Sequence, residues 1–339
     1  MGGGGLSVSL IGVGVLQTVV YLLFIRAIDL YEREQFRYVV PVFIWGLTVA
    51  VVISLVFNTV GAVALGAVVD AEAVDVLTAV FVAPVVEECA KGLALLIAFV
   101  VASLVSLRRG GIEFSGVMDG IVYGSAVGFG FSIVEDVIYY AQTYSEFGNQ
   151  TFVVRRLFGG FGHAVFTSLT GIGIGLIPWV RSGALKVLLP IVGLTAAILM
   201  HACFNLSATL FGPLAYVFLF LVLVMYAVLI VLWLWVERRT IREELRDEVA
   251  AGTISAHEYA ILPTYFPRTF YYLGLLAAGR IGEYRRAKKV HEAAVNLAFI
   301  KRVGREPYAA PQRRKAELLR RRIAELRGCP LRFRPSAAP

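Results

Sequence analysis

Apolar runs long enough to cross a bilayer's hydrocarbon core, about 20 residues each, recur seven times along the chain, at 6–25, 38–57, 75–106, 116–141, 160–179, 186–209 and 212–236. The pattern predicts an all-α, polytopic membrane protein of about seven transmembrane helices. The third run is overlong and contains Pro84, which lacks an N–H and so permits a kink just before Glu87. After Trp235 the pattern changes. EYRRAKKVHEAAVNLAFIKRV and RRKAELLRRRIAELR place apolar residues at helical spacing opposite arginine-rich faces. Two regions follow: residues 1–236, a transmembrane domain whose polar motifs fall within 75–210, and residues 237–339, a basic helical tail. No internal repeat is evident, which weakens an inverted-repeat transporter reading.

Composition agrees. Hydrophobic residues make up 58% and charged residues 17%, with mean hydropathy +0.75, far from the balance of a soluble domain. Cys89, Cys203 and Cys329 are too few and too scattered for a disulfide framework. The first basic residue, Arg26, follows the first apolar run, which favours a retained span over a cleaved signal peptide.

Charge orients the runs. One set of loops holds Arg26, Arg33, Arg37, Arg108, Arg109, Arg181 and Lys186; the other holds Arg155 and Arg156 among acids such as Asp70, Glu72 and Asp75. The positive-inside rule puts the first set in the cytoplasm, with the N-terminus outside and the C-terminus inside. Only the loop with Arg155 and Arg156 disagrees. The tail carries a net charge of +11 against −3 for residues 1–236. Its expected partner is the anionic inner leaflet of the cell membrane; the alternative is a small solvated appendage. No nucleic-acid recognition motif accompanies the charge.

Four motifs set ionisable side chains inside these apolar runs: VVEECAK at 85–91, FSIVED at 131–136, GHAVF at 162–166 and HACFN at 201–205. Such groups are costly in lipid, and that cost marks them as functional candidates. Glu87 and Glu88 stand four and three residues before Lys91, so either carboxylate can pair with it on a helix. The two glutamates diverge by about 100 degrees and should not both face one small ligand. His201 and Asn205 share a helix face that could hold an oxyanion. At ~1.5 Å per residue, Glu87 lies ~18 Å, Glu135 ~9 Å, His163 ~5 Å and His201 ~12 Å from the outer ends of their runs. All four then meet in the outer half of the bilayer. The glycines at 124, 128 and 130 and at 171, 173 and 175 predict close helix packing, and Cys89 and Cys203 read as small hydrophobes.

EECAK, FSIVED with its FxxxE spacing, GHAVFTSLTGIGIG and HACFN resemble the motif set of the PrsW family of intramembrane proteases, within the superfamily of CAAX-processing and bacteriocin-processing proteases. The resemblance covers roughly residues 75–210 and carries the family's motif residues onto Glu87, Glu88, Lys91, Phe131, Glu135, His163, His201 and Asn205. Asp136 departs from it, since relatives often have asparagine there. The resemblance implies hydrolysis of peptide bonds in membrane-anchored proteins and, for the family's best-known role, cleavage of an anti-sigma factor.

Two function classes remain. As a protease, the chain uses Glu87 or Glu88 as general base on a water, His163 to position that water or a metal, and His201 with Asn205 on the oxyanion, with Glu135 in the catalytic set and Lys91, Phe131 and Asp136 supporting. If a metal is present, His163, His201 and Glu88 suit zinc or another divalent ion; a metal-free glutamate mechanism uses the same residues. As a proton-coupled transporter, it uses Glu87, Glu88, Glu135 and Lys91 as a relay.

Overall fold

The computed structural model describes residues 8–32, 34–109, 114, 116–157, 159–303 and 310–328. Arg33, Cys329 and the first two residues of the 6–25 run lie outside the described residues. The chain divides into two compact units, one of Met1–Asp29, Arg33–Leu104 and Phe114–Ile230, the other of Leu30–Glu32, Val105–Glu113 and Val231–Pro339.

In the first unit α1 (Val8–Ile28) is followed by α2 (Phe36–Trp45), which continues through a π turn at Gly46–Ala50 into α3 (Val51–Gly66). Next, α4 (Ala71–Leu77) passes through a second π turn, Thr78–Val82, into α5 (Ala83–Arg109). Then come α6 (Val117–Phe147), α7 (Gln150–Leu157), α8 (Gly162–Gly175), α9 (Gly183–Phe211) and α10 (Ala215–Ala250). Among the described residues there is no strand, as expected of an all-α membrane protein. Among the described residues six stretches are long and apolar enough to span a membrane. The runs 186–209 and 212–236 both fall in one of them, Gly183–Ala250, where a 3-10 turn at Gly212–Leu214 separates α9 from α10.

The centre of this unit is the pair α6 and α8, buried along most of their lengths. Glycine explains how close they come. A Cβ added at Gly124 would stand 2.6 Å from Ser168 Cα, and one at Gly128 the same distance from Ala164 Cα, closer than any side chain tolerates. In contrast, α1, α3, α9 and the apolar part of α10 turn many large hydrophobic side chains outward, which suits helices whose solvent is lipid. Cys89 and Cys203 are free thiols on the exposed surface.

The second unit consists of the end of α10 with α11 (Ala256–Ile261), α12 (Tyr265–Ala277), α13 (Ile281–Val303) and α14 (Ala310–Arg327). Both helical patterns read in the tail are present, as α13 and α14. The apolar residues of α13, from Val290 to Ile300, are spent on this unit's own core, so α13 does not lie on another surface through them. Glu248 closes the unit by accepting from Lys301 Nζ at 2.9 Å and Arg320 Nη2 at 2.6 Å. Burial opposes ionisation of Glu258, yet hydrogen bonds from the Ser255 N–H and hydroxyl, with Arg327 alongside, hold its carboxyl below the usual range. Burial pushes His291 down to about 4, and its Nδ1 shares a hydrogen bond with the Tyr272 hydroxyl at 2.8 Å.

Candidate metal centre and active site

Four helices of the first unit bring the polar motifs together. Helix α5 supplies Glu87, Glu88 and Lys91, α6 supplies Phe131, Glu135 and Asp136, α8 supplies His163, and α9 supplies His201. The helical spacing of EECAK decides the first contacts. Lys91 Nζ reaches Glu87 Oε2 at 3.2 Å and Glu88 Oε1 at 2.9 Å, and also His163 Nδ1 at 3.0 Å. Its three N–H donors are thereby used, while the ammonium sits 3.8 Å over the Phe131 ring. Lys91 and Glu88 have no solvent exposure.

The two glutamates then part company. Glu88 meets His201 Nδ1 at 3.1 Å through Oε1 and accepts from Thr167 Oγ1 at 3.0 Å through Oε2. With Lys91 this makes three partners, so its acceptor positions are largely filled. Glu87, rotated about 100 degrees around α5, instead joins His163 and His201. One ligand atom from each of these three buried residues lies within 4.8 Å of the other two. The ligand-like set is therefore Glu87, His163 and His201, with Glu88 standing behind His201.

Both histidines have a carboxylate at their back. Glu135 Oε2 lies 2.8 Å from His163 Nε2, as Glu88 lies against His201 Nδ1, so that His163 Nδ1, which Lys91 Nζ also reaches, and His201 Nε2 are the nitrogens facing the centre. A carboxylate on the far nitrogen fixes ring orientation and tautomer, the support that metal-ligating histidines receive. The rings stand nearly perpendicular, at 87° with centroids 5.0 Å apart. Phe166 stacks on His201. Phe131 packs against His163.

Two arginines complete the cluster from α7. Arg155 donates to Glu135 Oε2 at 2.5 Å and to Asp136 Oδ1 at 2.8 Å; Arg156 donates to Asp136 Oδ2 at 2.8 Å and to Thr18 Oγ1 of α1 at 2.6 Å. Sequence reasoning counted both as loop charges. Their signal was that they broke the loop-charge pattern, and the reason is now visible: the fold consumes them in ion pairs with the ED of FSIVED. Thr167 gave no signal of its own. Side-chain exposure is 24% for Arg155 and 17% for Glu135, against zero for Glu88 and Lys91, so the cluster opens to its surroundings beside Glu135.

Asn205 spends its amide elsewhere. In the π turn before α5, the Ala83 N–H bonds to the Thr78 carbonyl, five residues back. The next N–H in that series would belong to position 84, which is proline, leaving the Ala79 carbonyl without it. Asn205 Nδ2 donates to that carbonyl at 2.8 Å. The expected pairing of His201 and Asn205 on one face is thus divided between the centre and the bend that carries Glu87.

Two histidines and a glutamate, buried, preorganised and leaving a position open, form a donor set that zinc uses in catalytic sites. The residues fit a divalent metal. A family model described as PrsW family intramembrane metalloprotease matches residues 34–234. Neither the curated proteins nor the solved structures give a match to this chain.

Proposed function

The chain belongs to the PrsW family of intramembrane metalloproteases and is therefore a membrane peptidase; from this we propose how its own residues divide the work. Glu87, His163 and His201 hold the metal, and zinc suits that donor set. A bound zinc supplies a water acidified toward neutral pH. The observation that carries this assignment is the convergence of three buried donors, from α5, α8 and α9, within 4.8 Å.

Hydrolysis adds the water's oxygen to the amide carbon and transfers its protons, one of which ends on the departing amine. Glu135, behind His163, bonds the ring nitrogen that faces away from the centre and so sets that ring rather than meeting the water. Glu88 and Glu135 orient the two histidines, Lys91 offsets the buried negative charge, and Asp136 holds Arg155 and Arg156 in place. Asn205 maintains the bend before Glu87.

The substrate we propose is a single-span, membrane-anchored protein cut near the extracytoplasmic surface, an anti-sigma factor being the kind the family resemblance suggests. The depth estimates and loop charges support that side, and the pairing of Arg155 and Arg156 with acids inside the first unit removes the main objection to an outside N-terminus and a cytoplasmic tail. The net +11 of the tail supports contact with anionic lipid. The test is cleavage of such a substrate in liposomes by wild type and by Glu87→Gln, His163→Ala and His201→Ala proteins of equal insertion. Loss of about 100-fold or more in each variant is expected; wild-type rates in all three would overturn the assignment.

A further inference from the structure

Lys91 contacts the very atoms that the metal reading needs. Its ammonium is bonded to Glu87 Oε2 and to His163 Nδ1, the glutamate of the donor set and the nitrogen of His163 left free once Glu135 takes Nε2. A side chain that merely neutralised Glu88 would need only the 2.9 Å bond to that residue. Here the cation also has a seat, with the Phe131 ring 3.8 Å beneath it, and it has no solvent exposure.

We propose that Lys91 is a resident cation that holds Glu87 and His163 together in the metal-free protein and competes with the metal for those two ligands. This rests on the assignment of Glu87, His163 and His201 as the metal site. The physical basis is that two cations cannot share one lone pair, and like charges a few ångströms apart repel strongly where water is absent. For Glu87 and His163 to hold a metal, the Lys91 ammonium would have to leave them. Glu88, fixed by Thr167 and His201, remains as its counter-ion. The metal-free site is thus kept assembled rather than left as a set of mutually repelling carboxylates, and the metal's net affinity is lower than its ligands alone would give.

The experiment measures zinc affinity of full-length protein in detergent, by competition with a chromophoric chelator, together with the thermal shift that zinc produces. Lys91→Met keeps the length of the side chain and removes the charge; Phe131→Leu changes no ligand and keeps Lys91 while removing the ring beneath the ammonium, a ring that also packs on His163. Lys91→Met should bind zinc about tenfold or more tightly than wild type, with a larger zinc-induced thermal shift, and Phe131→Leu should tighten binding several-fold. Zinc binding by Lys91→Met with none by wild type would be the strongest form of the same result. Unchanged or weaker binding in Phe131→Leu, with weaker binding in any folded Lys91→Met, would overturn the competition while leaving the metal site standing. Absence of zinc from wild type and both variants would overturn the metal assignment and the competition together.

Discussion

Arg156 Nη1 lies 2.8 Å from Asp136 Oδ2, an ion pair between α7 and α6 in which both side chains are almost fully withdrawn from solvent. A buried pair of this kind loses about 3 kcal/mol or more when one partner is removed, because the other charge is left stranded. Arg156→Gln should therefore lower the unfolding temperature in detergent, and Asp136→Asn likewise. The double variant should recover part of the loss; a double variant as unstable as the sum of the singles would show that the pair is not the source of the effect.

Glu87 and Glu88 are predicted to fail differently. Glu87 has spare acceptor capacity and faces the histidines, so Glu87→Gln should insert and fold normally yet be inactive. Glu88 holds Lys91, His201 and Thr167, so Glu88→Gln should reduce yield and thermal stability as well as activity. Equal yield and stability for the two variants would contradict this division.

The bend before α5 gives a third prediction. Asn205→Leu strands the Ala79 carbonyl, at a cost of about 1–3 kcal/mol. Adding Pro84→Ala restores an N–H that can reach that carbonyl. Thermal unfolding of the single and double variants should show the second change rescuing the first; further loss would disprove the link.

His291 makes the second unit sensitive to acid. Its folded value of about 4 lies below the ordinary 6.5, so the native fold favours the neutral ring. That contribution is fully present above about pH 6.5 and is lost as pH falls toward 4, on the order of 3 kcal/mol in all. Protection factors for hydrogen exchange along α13, which factor out the intrinsic pH dependence of exchange, should fall between pH 7 and pH 5. His291→Gln, which cannot titrate, should flatten the dependence.

For topology, a reporter fused after Trp235 should report the cytoplasm and one inserted near Asn149 the exterior. Opposite readings at both sites would invert the proposed map.

What was legible in the sequence was what short range encodes. Apolar runs gave the helices, and spacings of three and four gave the pairing of Lys91 with Glu87 and Glu88. The divergence of those two glutamates was also readable, though not which of them would face the histidines, because that depends on how α5 is rotated against α8 and α9. The ion pairs of Arg155 and Arg156 are not legible in the sequence, since nothing local shows that α7 folds back beside Glu135 and Asp136. Asn205 was read by the face it shares with His201, but the carbonyl it serves is 126 residues away, and only the meeting of α9 with the turn before α5 reveals it.

The helices at the centre of the first unit, α6 and α8, lie in the least apolar of the candidate spans. Charged groups at mid-membrane cost roughly 2.5 to 3.5 kcal/mol each during insertion, so neither α6, with Glu135 and Asp136, nor the span that runs from α7 into α8, with Arg155 and Arg156, is well suited to leave the translocation machinery alone. The acids of α6 find their counter-charges on the segment that leads into α8: Glu135 and Asp136 with Arg155, and Asp136 also with Arg156. Insertion of α6 is therefore tied to that of the segment carrying α7 and α8, since neither set of charges is neutralised until both are in place.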